Sequence, residues 1–505
     1  MVAALLVLPM LFFIAGCDDD DDDGVVTPPP TDDDPVDQID AVEGLYDTTL
    51  SEVSNDTLIV VSEFSVSGEP GIVEGGGSGE VTWTSNYTYI IDGRNFVNAG
   101  QTLNIQPGTV VKGRPRTDPN RASVLIVARD GTINAEGTPS EPIIFTAEDD
   151  DVNDPTDLPE NTERAWGGLI VLGNAGNVNG EVIQVEGIPT DEARARYGGD
   201  DDGDSSGILK YVSIRYGGTS IGAGNEINGL TLGGVGSGTT IDHIEIYNNL
   251  DDGIEWFGGT VDAKHLVVSR TGDDSFDIDQ GYRGNLQFLL TVQTPGRGDR
   301  TAEHDGGDSD FGGEDATPLA DPQIYNATYI GSGQDGGGDI ALKLRDNFAG
   351  NYFNSIFYDF PAQLIEVEDV DGTDGDSRGR WEADDLTVEN SIHWAFGAAE
   401  GLTDAGEIVR ALVENDGAWG DQVASDLIDY NNSYEDPGLT RDLSGDLQTV
   451  SVIPPADSPA AGLGDGTAPP DNGFFDTNAT YRGAFEPGGT NWASWTFTAE
   501  KGLIQ

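Results

Sequence analysis

Cysteine is almost missing from this sequence: Cys17 is the single one in 505 residues. No intrachain disulfide can form, and no cysteine remains for a structural metal site or a thiol nucleophile. Basic residues are also scarce, 24 Lys and Arg against 91 Asp and Glu, giving a formal net charge of −67. That imbalance excludes binding to a nucleic-acid backbone as a main role and argues against adhesion to anionic membrane surfaces. It favours solubility and the binding of divalent cations. The four histidines form no pair at metal-ligand spacing. His243 and His265 fall in strand-like segments, where they read as structural. Long apolar runs are lacking too, apart from Val2 to Ala15, roughly 14 residues and too short to cross a bilayer as a helix.

That run suits the core of a signal peptide. It ends in Ile14-Ala15-Gly16-Cys17, which resembles a bacterial lipobox. The resemblance implies that residues 1–16 are removed and that Cys17 carries lipid, so that the membrane becomes a partner through this anchor. Residues 17–53 then read as a tether. Six consecutive aspartates, Asp18 to Asp23, repel one another, and Pro28-Pro29-Pro30 adds stiff extended backbone.

What the chain has in quantity is glycine, 70 residues, together with apolar positions that recur. Between Gly229 and Leu290 three similar segments follow at a spacing of 22 to 24 residues. Leu230, Ile254 and Phe276 correspond, as do Leu232, Trp256 and Ile278, and later Ile246, Val268 and Leu290. A repeat this small cannot bury its own apolar face and must stack on its neighbours. The apolar positions alternate in short runs broken by Gly, Asp and Asn, which predicts strands and tight turns. The expected fold is all-β, a right-handed parallel β-helix with rungs of about 22 residues. Residues 54–147 form its N-terminal cap and first rungs, and 148–394 the main β-helix with acidic loops. Residues 395–505 hold a helical insert and a C-terminal cap. The period persists where Ala341-Leu342-Lys343-Leu344 returns as Gln363-Leu364-Ile365-Glu366. Trp492, Trp495 and Phe497 in the tail are expected to close the open end of the solenoid.

The acid is patterned as well. Asp251-Asp252 open one rung and Asp273-Asp274 the next, with Glu255, Asp277 and Asp279 following. Equivalent residues on neighbouring parallel strands lie about 4.8 Å apart, so these carboxylates are predicted to stack. Like charges at that distance require a bound cation, a raised pKa or a basic partner. Against this stands the plain turn preference of Asp, Asn and Gly. Asp251, Asp252, Asp273, Asp274 and Asp277 are therefore the first candidates for a Ca²⁺ site. Two loops offer further ligands. Thr190 to Tyr197 carries a helix-start signal and runs into an acidic tip with Asp201 and Asp204. The run Asp369 to Asp376, with Asp371, Asp374 and Asp376, resembles a calcium loop but does not fit the EF-hand template.

The stretch from Gly224 to Phe288, with LNIQPGTVVKG (103–113), GGLIVLGN (167–174) and YRGAFEPGGTNW (481–492), is similar to a large family of bacterial secreted and lipid-anchored proteins. Some of its members are related to a leptospiral outer-membrane lipoprotein. The resemblance implies a pectin-lyase-like β-helix at the cell envelope. It implies no catalytic residues. Taken with the anchor and the acidic composition, the expectation is a lipid-anchored protein exposed at the outer membrane or cell surface, a rigid Ca²⁺-binding surface for glycan or envelope-protein partners. A second, partial resemblance is to polygalacturonase-type hydrolases, whose Asn-Thr-Asp and Gly-Asp-Asp motifs are similar to Asn249 to Ile254 and Gly272 to Ser275. It would make Asp252, Asp273 and Asp274 the catalytic candidates. Where that family has Gly-His-Gly the sequence reads Pro295-Gly296, and no Arg-Ile-Lys follows, with Lys343 and Arg345 as the candidates for its role. A polyuronide lyase would instead need a basic group with a depressed pKa near the acid, and Lys264, Arg270 and Arg283 lie close in sequence. An enzyme should present the ladder in an open groove with Trp256 or Tyr282 free to stack on sugar. A scaffold should bury Trp256.

Overall fold

Apolar residues that recur once per turn of a solenoid can be buried only against the next turn, and the computed structural model has that arrangement. It describes residues 46–47, 52–53, 56–61 and 77–505, apart from 181, 223–224, 308–312, 314, 334–335, 337–339, 371–374 and 443–447. The expected lipobox with Cys17, and Asp371 and Asp374, lie outside the described residues.

One wall is a parallel sheet of nine strands among the described residues. It runs from Arg94–Val97 through Val124–Val127, Leu169–Leu172, Leu230–Gly233, Ile254–Phe257 and Phe276–Asp279. Ala302–Asp305, Leu342–Arg345 and Ile365–Val367 complete it. A larger sheet supplies the remaining walls. Its longest members, Gly207–Arg215, Thr240–Tyr247, Ala263–Ser269 and Asn285–Val292, lie side by side and parallel. The predicted registers Leu230 to Ile254 to Phe276 and Leu232 to Trp256 to Ile278 are both present. These side chains fill the bore, and Trp256 is wholly buried against Phe276 and Tyr282.

Two expected registers are one residue off. Val268 pairs with Thr291, and Leu290 lies beside Val267. Leu342 pairs with Ile365 rather than Leu364. The cause is an unequal rung: Ala263 follows Ile241 by 22 positions, but Leu286 follows Ala263 by 23. Because side chains alternate faces, that slip moves Leu290 out of the bore and into the outer cluster it shares with Val267.

Each long strand bends at one residue with left-handed backbone: Tyr211 (φ 49°), His243 (57°), His265 (57°) and Phe288 (61°). This conformation is unfavourable for such side chains. Stacking offsets it, with ring centroids 4.2 Å apart from Tyr211 to His243, 4.2 Å to His265 and 4.9 Å to Phe288. The same column continues as Asn326, Asn354, Asn390 and Asn431, also at positive φ. Asparagine tolerates that conformation, and its amide can serve the rung on either side. Asn390 Nδ2 donates to Asn354 Oδ1 at 2.6 Å, and Asn431 Nδ2 to Asn390 Oδ1 at 2.8 Å.

The tail covers this column rather than the end of the solenoid, contrary to the expectation from its tryptophans. Trp492 packs edge-on to His265, Trp495 to Tyr211, and Phe497 to Tyr247. The amides of Phe497 and Thr498 donate to Glu245. The reason is that the aromatic column projects from the flank and needs cover. The C-terminal end is instead met by the predicted helical insert, Ala405–Ala411 and Gly417–Asp429. Val413 and Ser433 bridge in parallel to Ile365 and Ile392. The segment from Thr190 forms turns, not a helix, and its Arg196–Tyr197 pairs antiparallel with Ile183–Gln184.

Asn390→Ala should lower the melting temperature by an amount equivalent to about 2–4 kcal/mol, since it breaks both amide bonds at a left-handed position. An unchanged melting curve would contradict the role assigned to the amide column.

Candidate metal centre

The outer face of the nine-stranded sheet collects the acid. In register, Glu255 lies beside Asp277, Asp277 beside Glu303, and Glu303 beside Lys343. Two positions before the strands, Asp252 and Asp274 occupy successive rungs, and each is stitched to the next. Asp252 Oδ1 accepts the amide of Asp274 at 2.8 Å, and Asp274 Oδ1 accepts the amide of Arg300 at 2.6 Å. Each of these carboxylates therefore has a structural task for one oxygen. Gly253 follows Asp252 because the walls meet closely there: a Cβ would stand 2.4 Å from Val268 and 2.5 Å from the Ser275 carbonyl oxygen.

Three groups of carboxylates have ligand atoms within 4.8 Å of one another: Asp251 with Asp252 and Asp273, Asp252 with Glu255 and Asp277, and Asp273 with Asp274 and Asp299. Asp252 belongs to two of them. The expected Asp251, Asp252, Asp273, Asp274 and Asp277 are thus brought together, and Glu255 and Asp299 join them. An all-oxygen donor set of this kind suits a hard cation such as Ca²⁺.

The electrostatics show the strain of crowding. Burial, reinforced by neighbouring carboxylates, holds Asp252, Asp274, Glu255 and Asp277 well above the ordinary carboxylate range. The same causes push Asp251 up to about 8. Glu186, which with Glu255 accepts from the buried Asn228 amide, is pushed up to about 7, mainly by burial. At one end the charge is balanced. Arg300 pairs with Glu303 at 2.6 Å, and Arg345 pairs with Glu303 at 2.5 Å and Asp305 at 2.6 Å. Burial opposes the charge on Arg345, but its bonds to Asp305 and the attraction of Glu303 outweigh it and hold its pKa above the ordinary value.

The basic residues close in sequence to the ladder serve elsewhere. Arg270 binds the Glu160 carbonyl, Arg283 pairs with Asp202, and the Lys264 ammonium lies over the Phe474 ring. The other acidic candidates have local tasks. Asp201 accepts the Gly203 amide in a tight turn, and Asp204 accepts the Asn174 amide. Asp376 caps the helix Ser377–Glu382 by accepting the Gly379 amide. None of these three belongs to a ligand triad among the described residues.

One cluster has no signal at ligand spacing. His243 and His265, a rung apart, both approach Asp242 Oδ1 through Nδ1, at 2.7 and 2.8 Å. Burial opposes the Asp242 charge, but these two bonds outweigh it and hold its pKa below the ordinary range. The pair was findable as equivalent positions one rung apart, not as a short motif.

Residues 75–418 match the family model of the pectate-lyase-like beta helix domain. This span is more than half of the chain, and the protein belongs to that family. Neither the curated proteins nor the solved structures contain a match to the chain.

Raised carboxyl pKa values set the sign of the pH dependence. Between about pH 4 and pH 8 the folded protein keeps protons that the unfolded chain has lost, so stability without a cation falls as pH rises across that window. The melting temperature at pH 8 without divalent ions should be lower than at pH 5 by more than about 3 °C. A melting temperature that rises over this interval would contradict the assigned shifts.

Proposed function

We propose that this member of the pectate-lyase-like β-helix family is a lipid-anchored cell-envelope protein. Its acidic sheet face holds Ca²⁺ and offers a rigid surface to anionic glycans or to envelope proteins. The observation that carries the reading is the buried Asp252 standing in two carboxylate triads within 4.8 Å, one with the buried Glu255 and the half-buried Asp277, the other with the half-buried Asp251 and the exposed Asp273. Mutual repulsion of this size is relieved by a divalent cation, which replaces protons at the shared oxygens. Asp251, Asp252, Asp273, Asp274, Asp277 and Glu255 are the residues that would hold it. Next along the same sheet, a depression of about 240 Å³ is lined by Lys343, Arg345, Glu366 and Glu368, giving positive groups beside the cation-binding stretch. A polyanion could meet both. Anchoring rests on the lipobox at Cys17, and the acidic tether would hold the β-helix away from the membrane.

The enzyme reading has less support. Trp256 and Tyr282 are wholly buried and unavailable for stacking on a sugar. The arginines nearest the carboxylates are committed to ion pairs, and Arg345 is held more firmly charged, the opposite of what a lyase base requires.

Calorimetric titration with Ca²⁺ tests the proposal. The parent should bind saturably, and Asp252→Asn/Asp274→Asn should weaken binding by at least about tenfold, or 1.4 kcal/mol. Absence of saturable binding in the parent, or equal binding in the variant, would sink the metal assignment. Cys17→Ala should move the protein from the membrane fraction to the soluble one, and retention in the membrane would refute the anchor.

A further inference from the structure

On the flank that the tail covers, Asp242, His243 and His265 offer three donor atoms within 4.8 Å of one another. Register makes the group. Asp242 pairs with Lys264 and Ile244 with Leu266, so the histidine between them on each strand stands at the same place one rung apart. Both histidines lie at the left-handed bend, φ 57° each, and their rings stack with an inclination of 23°. Each brings Nδ1 to Asp242 Oδ1, at 2.7 and 2.8 Å, while Lys210 Nζ takes the other carboxylate oxygen at 3.5 Å. Only the His265 contact is aligned as a hydrogen bond. His243 Nδ1 is buried and has no hydrogen-bond partner among the described residues. Buried polar atoms are nearly always satisfied, so an orphaned imidazole nitrogen beside a second imidazole and a carboxylate calls for a partner.

The geometry points to a site for a divalent transition ion of the Zn²⁺ or Co²⁺ type, held by Nδ1 of His243, Nδ1 of His265 and Oδ1 of Asp242. Two imidazole nitrogens and one oxygen suit such an ion, whereas the all-oxygen sheet face suits Ca²⁺. Tetrahedral bonds of about 2.0–2.1 Å set neighbouring donors about 3.3 Å apart, so Asp242 Oδ1 and the two nitrogens need part by only about 0.5 Å as the rings turn from strict stacking. Left-handed backbone at bulky residues is a feature of functional sites, and here it carries both ligating rings. The three side chains are 13–20% exposed, which leaves a fourth position to water. Trp492 stands edge-on to both rings, 6.1 and 5.0 Å from their centroids, and supplies an optical reporter. The site is separate from the acidic sheet face and does not depend on Ca²⁺.

The test is titration of the whole protein, without a histidine tag, with Co²⁺ in excess Ca²⁺. One equivalent of Co²⁺ should give a visible absorption band and quench part of the tryptophan emission, and Zn²⁺ should displace it and reverse both. His265→Phe keeps a stacked ring, as Phe288 does one rung on, and Asp242→Asn keeps the shape of the side chain. Each should retain a cooperative melting transition and weaken Co²⁺ binding by at least about a hundredfold. Asp252→Asn/Asp274→Asn should bind Co²⁺ as the parent does, which separates this site from the proposed Ca²⁺ face. No saturable Co²⁺ binding by the parent would overturn the proposal. So would binding that survives both substitutions on the flank, or binding that is lost with those on the sheet face.

Discussion

Parallel in-register stacking places each residue of a rung beside its equivalent on the next, and most other features of this protein follow from that repetition. Inside the bore it is favourable: Leu230, Ile254 and Phe276, then Leu232, Trp256 and Ile278, bury one another in columns. At the bend of the larger sheet it concentrates a cost, because from Tyr211 to Asn431 the successive rungs place a left-handed residue at the same position. Stacked rings answer that cost in the central rungs and amides in the later ones, and the tail runs back over both. On the outer face of the nine-stranded sheet the same repetition sets carboxylate against carboxylate.

The acidic face can therefore be read as structure and as chemistry together. Asp252 and Asp274 each use one oxygen to hold the next rung's amide. That accounts for aspartate at these positions. It does not account for Glu255, Asp277 and Asp251 beside them, whose charges have no such task in the stitching and whose pKa values are driven upward. A hard cation fits that surplus. Toward Arg300 and Arg345 the sheet uses fixed positive charge instead, so one face carries two solutions to the same repulsion.

The bore and the core of the acid ladder were legible because their spacing is nearly constant from Leu230 to Phe276. Past Asp279 the period is broken by loops: Ala302 follows its partner Phe276 by 26 positions, and Leu342 follows Ala302 by 40. Glu303, Asp305, Arg300 and Arg345 were therefore invisible as members of the face. Registers failed by a single residue where a rung has 23 positions instead of 22, since period counting has no means of choosing between them. The histidine and phenylalanine at left-handed positions gave no local signal, because the residues that normally announce that conformation are Gly and Asn. The placement of the tail depends on that hidden column, and the cover of the C-terminal end on how the helical insert docks. Neither is encoded in periodicity.

The central claim is that the crowded carboxylates on the sheet face keep protons in the absence of a cation and exchange them for one. Proton release on adding Ca²⁺ at pH 7, followed by pH-stat titration, tests it most directly. The account predicts release of at least about one proton for each ion bound, because Asp251 and its more deeply buried neighbours must ionise to become ligands. Calcium binding with no proton release would mean that the carboxylates are already charged and tolerate one another, which would contradict the account.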